Sequence, residues 1–139
     1  MSTRLTPEEI ARLEEFLEPS RIAVVATVGS DGMPQLTPNW YRFANGRLTI
    51  STTKERVKYR NLSRDSRISV CICSESRAAD YVTLRGHVEI SDDESIWPET
   101  QAIVARYVAP ERVDDRMHQL RTQSRIIISL DPESAIFRT

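Results

Sequence analysis

The spacing of apolar residues changes period several times along the chain, and each change marks an element. Ile10, Leu13, Phe16 and Leu17 recur at helical spacing. Thr6 in the N-cap position, Pro7 at the first helical position and Glu8 and Glu9 in the first turn predict a short amphipathic helix over residues 5–17, stopped by Pro19. Residues 21–28, RIAVVATV, are apolar and β-branched. They predict a well-buried strand in which Val24→Ala costs about 1–3 kcal/mol. Gly29-Ser30-Asp31-Gly32 signals a hairpin into a partner strand over residues 33–43. That strand carries Pro34 and Pro38, which donate nothing to a ladder and so place it at an edge, at a bulge or along a site.

Ala44-Asn45-Gly46 makes the next turn, after which Leu48 and Ile50 alternate with Arg47, Thr49 and Ser51 as in a half-buried strand. At Ser51-Thr52-Thr53 the alternation stops. Thr52 followed by Glu55 reads as a capping box opening a helix, with Val57 and Leu62 as its apolar contacts. Residues 67–73 predict another buried strand, and residues 81–90 a long alternating one with a bulge or bend at Gly86. Ser91-Asp92-Asp93-Glu94 caps a helix over residues 96–108, Pro110 starts a second over residues 111–120, and residues 125–130 form a last buried strand. Six strands, most joined by hairpins and interrupted by short helices, suit a mainly β, α+β fold. The expected form is a small six-stranded antiparallel barrel with peripheral helices. At 139 residues the chain reads as one domain over residues 1–139, with residues 1–19 as its N-terminal helical segment.

Composition narrows the function. A net charge of −1 argues against nucleic acid or a membrane surface as partner, since either calls for a strong basic excess. No apolar run approaches roughly 20 residues and no signal-peptide pattern opens the chain, so the reading is cytoplasmic. Cys71 and Cys73 share one face of a predicted strand, with His87 and His118 in separate segments. The thiols therefore read as small core residues rather than metal ligands. His87 and His118 read as solvated, and Asp65 and Asp80 as turn or cap residues. The densest basic stretch follows three hydroxyls: Lys54, Arg56, Lys58 and Arg60. A helix N-terminus offers unpaired N–H groups and positive potential, so this stretch suits a cradle for one phosphate; the other reading is a solvated basic face.

Four strings, AVVATVGSDGMPQLTPNWYRF, LTISTTKERVKYRNLSRDSRISVCI, YVTLRGHVEI and RIIISLDPESAIF, resemble the pyridoxamine-5′-phosphate-oxidase-like split-barrel family of flavin- and deazaflavin-binding proteins. Thr37-Pro38-Asn39-Trp40 is similar to the branch that uses the deazaflavin coenzyme F-420. The resemblance implies a split β-barrel and a homodimer with cofactor sites at the subunit interface. It implies an oxidoreductase exchanging hydride between F-420 and an unsaturated small molecule. FMN is the alternative cofactor, and a non-catalytic carrier or sensor the alternative role. By resemblance Arg56 and Lys58 grip the cofactor phosphate, aided by Ser51, Thr52, Thr53 and the amides opening the helix. Gln35, Thr37, Pro38, Asn39 and Trp40 line the ring system, with Trp40 serving packing before ring stacking. Asn61 ties the helix to its neighbour, and Trp97, Tyr107 and Arg125 reach toward the partner's site. Hydride transfer is the cofactor's own chemistry, so neither a side-chain nucleophile nor a metal is required. Members that oxidise pyridoxamine phosphate carry a further C-terminal segment. This sequence ends nine residues after its last predicted strand, which points away from that activity.

Overall fold

Strands dominate the residues that the computed structural model describes, 5–138. In chain order the elements are α1 (Pro7–Leu17), β1 (Ala23–Val28), β2 (Pro34–Asn39), β3 (Arg42–Ala44), β4 (Arg47–Thr53), α2 (Val57–Arg64), β5 (Arg67–Cys73), β6 (Tyr81–Ser91), α3 (Ile96–Val104), α4 (Val113–Leu120), β7 (Arg125–Leu130) and β8 (Ser134–Arg138). The strands run β2-β1-β5-β6-β7-β4-β3, with β8 also paired to β6, and every pairing is antiparallel. This curled half-barrel with four α-helices among the described residues keeps the mainly β, α+β class that the pattern predicts, but β2 and β3 leave it open rather than closed, in the split form that the resemblance implies.

The strand count rises from six to eight for two local reasons. Residues 33–43 break at Trp40 and Tyr41 into β2 and β3, which become the two edges of the strand order. Residues 134–138 add β8, an edge pairing that a short run around Ile136 and Phe137 hardly announces. β6 bends between sheets, as expected for a mid-strand glycine. Its first half pairs with β5 and β8, and its second half, from Val88, pairs with β7. A Cβ built on Gly86 at that bend would stand 2.9 Å from Leu130 Cδ1 and 3.3 Å from the Glu133 backbone nitrogen, so only glycine fits there without a shift.

α1 forms as its signals predict. The Thr6 hydroxyl accepts from the Glu9 amide at 3.1 Å, and the Glu9 carboxylate accepts from the Thr6 amide at 3.0 Å. The same signature at Thr52 and Glu55 does not form. β4 continues through Thr53, pairing Thr52 with Ile126 and Thr53 with Arg125, and α2 begins only at Val57 with no side-chain cap. Val57 stays exposed and Leu62 alone is buried. The helix expected to reach residue 108 ends at Val104, and the one after Pro110 opens with a 3-10 turn over Pro110–Arg112.

Burial corrects two further expectations. Val25 points into the core at 1% exposure, whereas Val24 points outward at 39%. The β-branched run hid which parity faces in. Val25→Ala is therefore expected to lower the denaturation free energy by about 1–3 kcal/mol. Val24→Ala should barely move it in a monomeric preparation, and equal urea midpoints for the two variants would reverse this assignment. Cys71 and Cys73 are exposed, not core, because Ile68, Val70 and Ile72 take the inward positions of β5.

One row across the outward side of the β2-β1-β5-β6-β8 sheet carries no charge. Pairing aligns Pro38, Val24, Cys71, Thr83 and Ile136 in one row across five strands. Ile22 and Leu36 flank that row, and Ile22, Val24, Leu36 and Ile136 are all exposed.

Candidate functional site

The basic stretch separates once its partners are assigned. The Lys54 ammonium pairs with Asp92 at 3.2 Å, and Arg60 donates to the Glu55 carbonyl at 3.3 Å. Arg56 and Lys58 have no carboxylate or carbonyl partner among the described residues. Arg56 is exposed at the start of α2, while Lys58 is 4% exposed.

Arg56 opens onto a cavity of about 400 Å³. One wall is the end of β2, with Pro38, Asn39 and Trp40 beside Ile22, and the other comprises Ile103 and Val104 of α3 with Leu120 of α4. Ser51 of β4, Arg125 of β7 and Arg116 of α4 complete it. The register of β4 on β7 brings Arg125 opposite Thr53, and its guanidinium donates to the Ser51 hydroxyl from Nη2 at 2.9 Å and Nε at 3.3 Å. Nη1 donates to Gln123 Oε1 at 2.8 Å, which fixes the fork. No carboxylate lines this cavity among the described residues.

The electrostatics follow from that imbalance. Burial first, then the Arg56 and Arg125 charges, hold the Lys58 ammonium below the usual lysine range. Burial, then Arg116 and Arg56, likewise depresses the Arg125 guanidinium, which nevertheless stays charged. The unfolded chain thus binds the Lys58 proton more tightly than the folded one. The resulting penalty is complete below the depressed value and is released as pH climbs toward the ordinary lysine value. Compared with Lys58→Met, the ligand-free protein is expected to gain urea resistance as pH climbs toward the ordinary lysine value of about 10.4. Inorganic phosphate should narrow the difference at the lower end by neutralising the cluster. A gap between the two proteins that ignores both pH and phosphate would detach Lys58 from it.

Of the residues singled out from sequence, the cavity gathers Pro38, Asn39, Trp40, Ser51 and Arg56. Lys58 lies behind them, coupled to Arg56 and Arg125. Thr52 and Thr53 are buried within β4 and do not line the cavity. Gln35 and Thr37 also sit off it. Gln35 Oε1 accepts from the Thr27 hydroxyl at 3.4 Å, and Thr37 accepts from the Asn39 side-chain amide at its hydroxyl, 3.1 Å, and its carbonyl, 2.9 Å. Asn61 does tie α2 to a neighbour, donating to Thr27 of β1 at 3.0 Å.

Two cations escaped the sequence reading as parts of this corner: Arg125, which looked toward a partner, and Arg116. The pairing of residues 47–53 with 125–130 would have signalled the first; nothing in the local sequence signals the second. Trp97 packs under Arg121, 4.6 Å from ring to guanidinium, and lies outside the cavity. Tyr107 is a support rather than a lining residue. Its ring stacks on Trp40 at 4.9 Å and 2°, and its hydroxyl donates to the Arg21 carbonyl at 2.5 Å. The next residue back, Arg106, reaches the Tyr41 carbonyl at 2.9 Å, Glu18 at 3.1 Å, Pro19 at 3.2 Å and Leu17 at 3.3 Å. His87 and His118 are exposed, and Asp65 pairs with Arg67 at 2.7 Å in the turn before β5, which holds its carboxyl at about 2.

Comparison with known proteins sets this geometry in a family. A solved F-420 reductase is 26% identical, matching 88% of this chain and 94% of its own with a TM-score of 0.70. A conserved hypothetical protein from Mycobacterium tuberculosis, 23% identical, aligns over 99% of this chain and 87% of its own at a TM-score of 0.78. A heme binding protein from Mycobacterium smegmatis, 18% identical, aligns over 99% of this chain and 55% of its own at 0.71. The last two speak for the fold alone. No helix among the described residues is long and apolar enough to cross a membrane. The family model described as pyridoxamine 5′-phosphate oxidase matches residues 10–138, and the chain belongs to that family.

Proposed function

We propose that this chain is an oxidoreductase that holds a deazaflavin, coenzyme F-420, in the cavity between β2, β4 and α4 and exchanges hydride with an unsaturated small molecule. The observation that carries the reading is the cluster of Arg56, Arg116 and Arg125, with Lys58 behind it, facing a wall of Pro38 and Trp40 with no carboxylate among the described lining residues. A volume of about 400 Å³ with one apolar wall and a few convergent polar groups suits a flat ring bearing a phosphate tail. The similarity to an F-420 reductase and the Thr37-Pro38-Asn39-Trp40 string favour the deazaflavin branch.

The cofactor, when bound, supplies the hydride chemistry. The chain's part is to bind, orient and shelter. Arg56 and Lys58 grip the phosphate, each contact worth about 1.5–3 kcal/mol in a sheltered site. Arg125, already braced on Ser51, meets the anion without further ordering. Ile22, Pro38 and Trp40 exclude water from the ring. β2 has β1 as its single neighbour, so its outer backbone groups are open to a polar ring edge.

A second copy of the chain completes this reading. The uncharged row through Val24 and Cys71 suits a homodimer contact, and Ile22 and Pro38 belong both to that face and to the cavity rim. FMN is the second reading, favoured by the family's own description.

The test titrates the purified protein with F-420 and with FMN by calorimetry, and measures its mass by light scattering. Saturable F-420 binding by a dimer, followed by reoxidation of reduced F-420 on adding a conjugated enone, is the expected result. FMN binding with no response to F-420 overturns the deazaflavin branch. Binding without turnover against any acceptor makes the chain a carrier, and failure to bind either cofactor removes the redox reading.

A further inference from the structure

Lys58, Asn61 and Leu62 are the buried residues of α2, at i, i+3 and i+4 on the side that packs toward β1. Leu62 joins the core, and Asn61 is satisfied on Thr27. Lys58 finds no hydrogen-bond or ion-pair partner among the described residues, and yet no fully enclosed side-chain nitrogen or oxygen among them lacks one. Its Nζ therefore keeps some contact with solvent, beside the charges of Arg56 and Arg125. This enclosure is made within one chain, by α2 against β1, and not on the uncharged row that suits a second copy.

The residue type carries the chemistry. Of the nineteen lysines and arginines only Lys54 and Lys58 are lysine. Arginine keeps its proton in a protein, whereas a lysine enclosed beside other cations gives it up and becomes a nucleophilic amine. Burial first, then Arg56 and Arg125, favours that neutral form at Lys58. Lys54 is the contrast within the same stretch, exposed and paired with Asp92 at 3.2 Å. A free amine beside guanidinium groups that collect an anion is matched by an aldehyde that carries an anion.

We infer that the ligand-free corner is a carbonyl-reactive site, in which Lys58 condenses reversibly with a short aldehyde whose phosphate rests on Arg56 and Arg125. The Nζ lone pair adds to the carbonyl carbon. The carbinolamine then loses the carbonyl oxygen as water, with both protons from nitrogen, and leaves a C=N bond at unchanged oxidation state. The inference rests on the anion cradle of the proposed function, and not on which cofactor that cradle holds.

The ligand-free full chain is treated with glyceraldehyde 3-phosphate and sodium cyanoborohydride, and the reduced adducts are located by peptide mass mapping. Lys58 should be modified at least tenfold faster than Lys54, and glyceraldehyde, which lacks the phosphate, should lose most of that preference. Inorganic phosphate should protect Lys58 and leave Lys54 unchanged. Arg56→Gln and Arg125→Gln should each shrink the advantage of the phosphate ester over glyceraldehyde; the first residue is exposed at the start of α2, which guards against a folding defect peculiar to the second. In urea the two lysines should react alike, which ties their difference to the fold. Equal modification of both lysines in the folded chain, a Lys58 rate indifferent to the phosphate group, or no adduct at Lys58 would each overturn the inference. Saturable F-420 binding beside any of those results would leave the cofactor reading standing, so the two fail separately.

Discussion

Lys58→Ala is expected to weaken a phosphate-bearing cofactor roughly ten- to hundredfold while leaving the urea midpoint of the free protein unchanged or slightly higher. Both halves follow from one geometry. Lys58 is 4% exposed with no anionic partner among the described residues, and its two charged neighbours, Arg56 and Arg125, repel it. The free protein therefore keeps a buried cation at a cost, and a bound anion is what removes that cost. Truncation deletes the cation and orphans no partner, so stability does not fall. Equal cofactor affinity in the two proteins would take Lys58 out of the site. A large loss of stability would mean that its ammonium has a structural anchor.

Arg106→Ala is expected to cost about 3 kcal/mol of folding stability, read from the urea midpoint at constant m-value. Its guanidinium serves four carbonyls, at Leu17, Glu18, Pro19 and Tyr41, and so terminates α1 and pins it to the strand that leads into β3. A cation at the C-terminal end of a helix also complements the helix dipole. The Tyr41 hydroxyl donates to two of the same carbonyls at 2.9 Å, and burial, then the neighbouring Tyr107, pushes it up to about 12, so it remains a donor. Without Arg106 the Leu17 and Pro19 carbonyls keep the Tyr41 hydroxyl, and Pro19 also keeps the Arg21 amide. The Tyr41 carbonyl keeps a long contact from the Tyr107 hydroxyl, and the Glu18 carbonyl loses the guanidinium. Arg106→Lys should recover little, because an ammonium cannot span the fork. The loss should also reach the cavity, since Tyr107, one residue on, supports Trp40. A midpoint within about 0.5 kcal/mol of wild type would show that water replaces the guanidinium.

Legibility from sequence divided along a physical line. Features set within a few residues of one another were readable: the Thr6 capping box, the hairpin at Gly29–Gly32, the bend at Gly86 and the edge character of the proline-bearing strand. Features decided by a distant partner were not. Thr52 and Glu55 carry the same cap signature as Thr6 and Glu9, yet pairing with Ile126 holds Thr52 in a strand, because ladder hydrogen bonds outweigh a single cap. The run RIAVVATV gives no parity, so Val24 and Val25 could not be told apart until β5 supplied the inward Val70 and Ile72. At the candidate site, Arg56 stood out by its neighbours in sequence. Arg116 and Arg125, sixty or more residues away, join it only through the packing of α4 on α3 and the pairing of β7 with β4.

Trp40 stands in the cavity wall while Trp97 lies outside it, shielded by Arg121. One of the protein's two indoles thereby reports on the state of one cavity. A conjugated ring seated there would drain the emission of Trp40 by energy transfer, and Trp97, packed against the same Val104 and Ile103 clusters, lies close enough to be quenched with it. Occupancy could then be followed optically on the unlabelled protein, with no reaction needing to run.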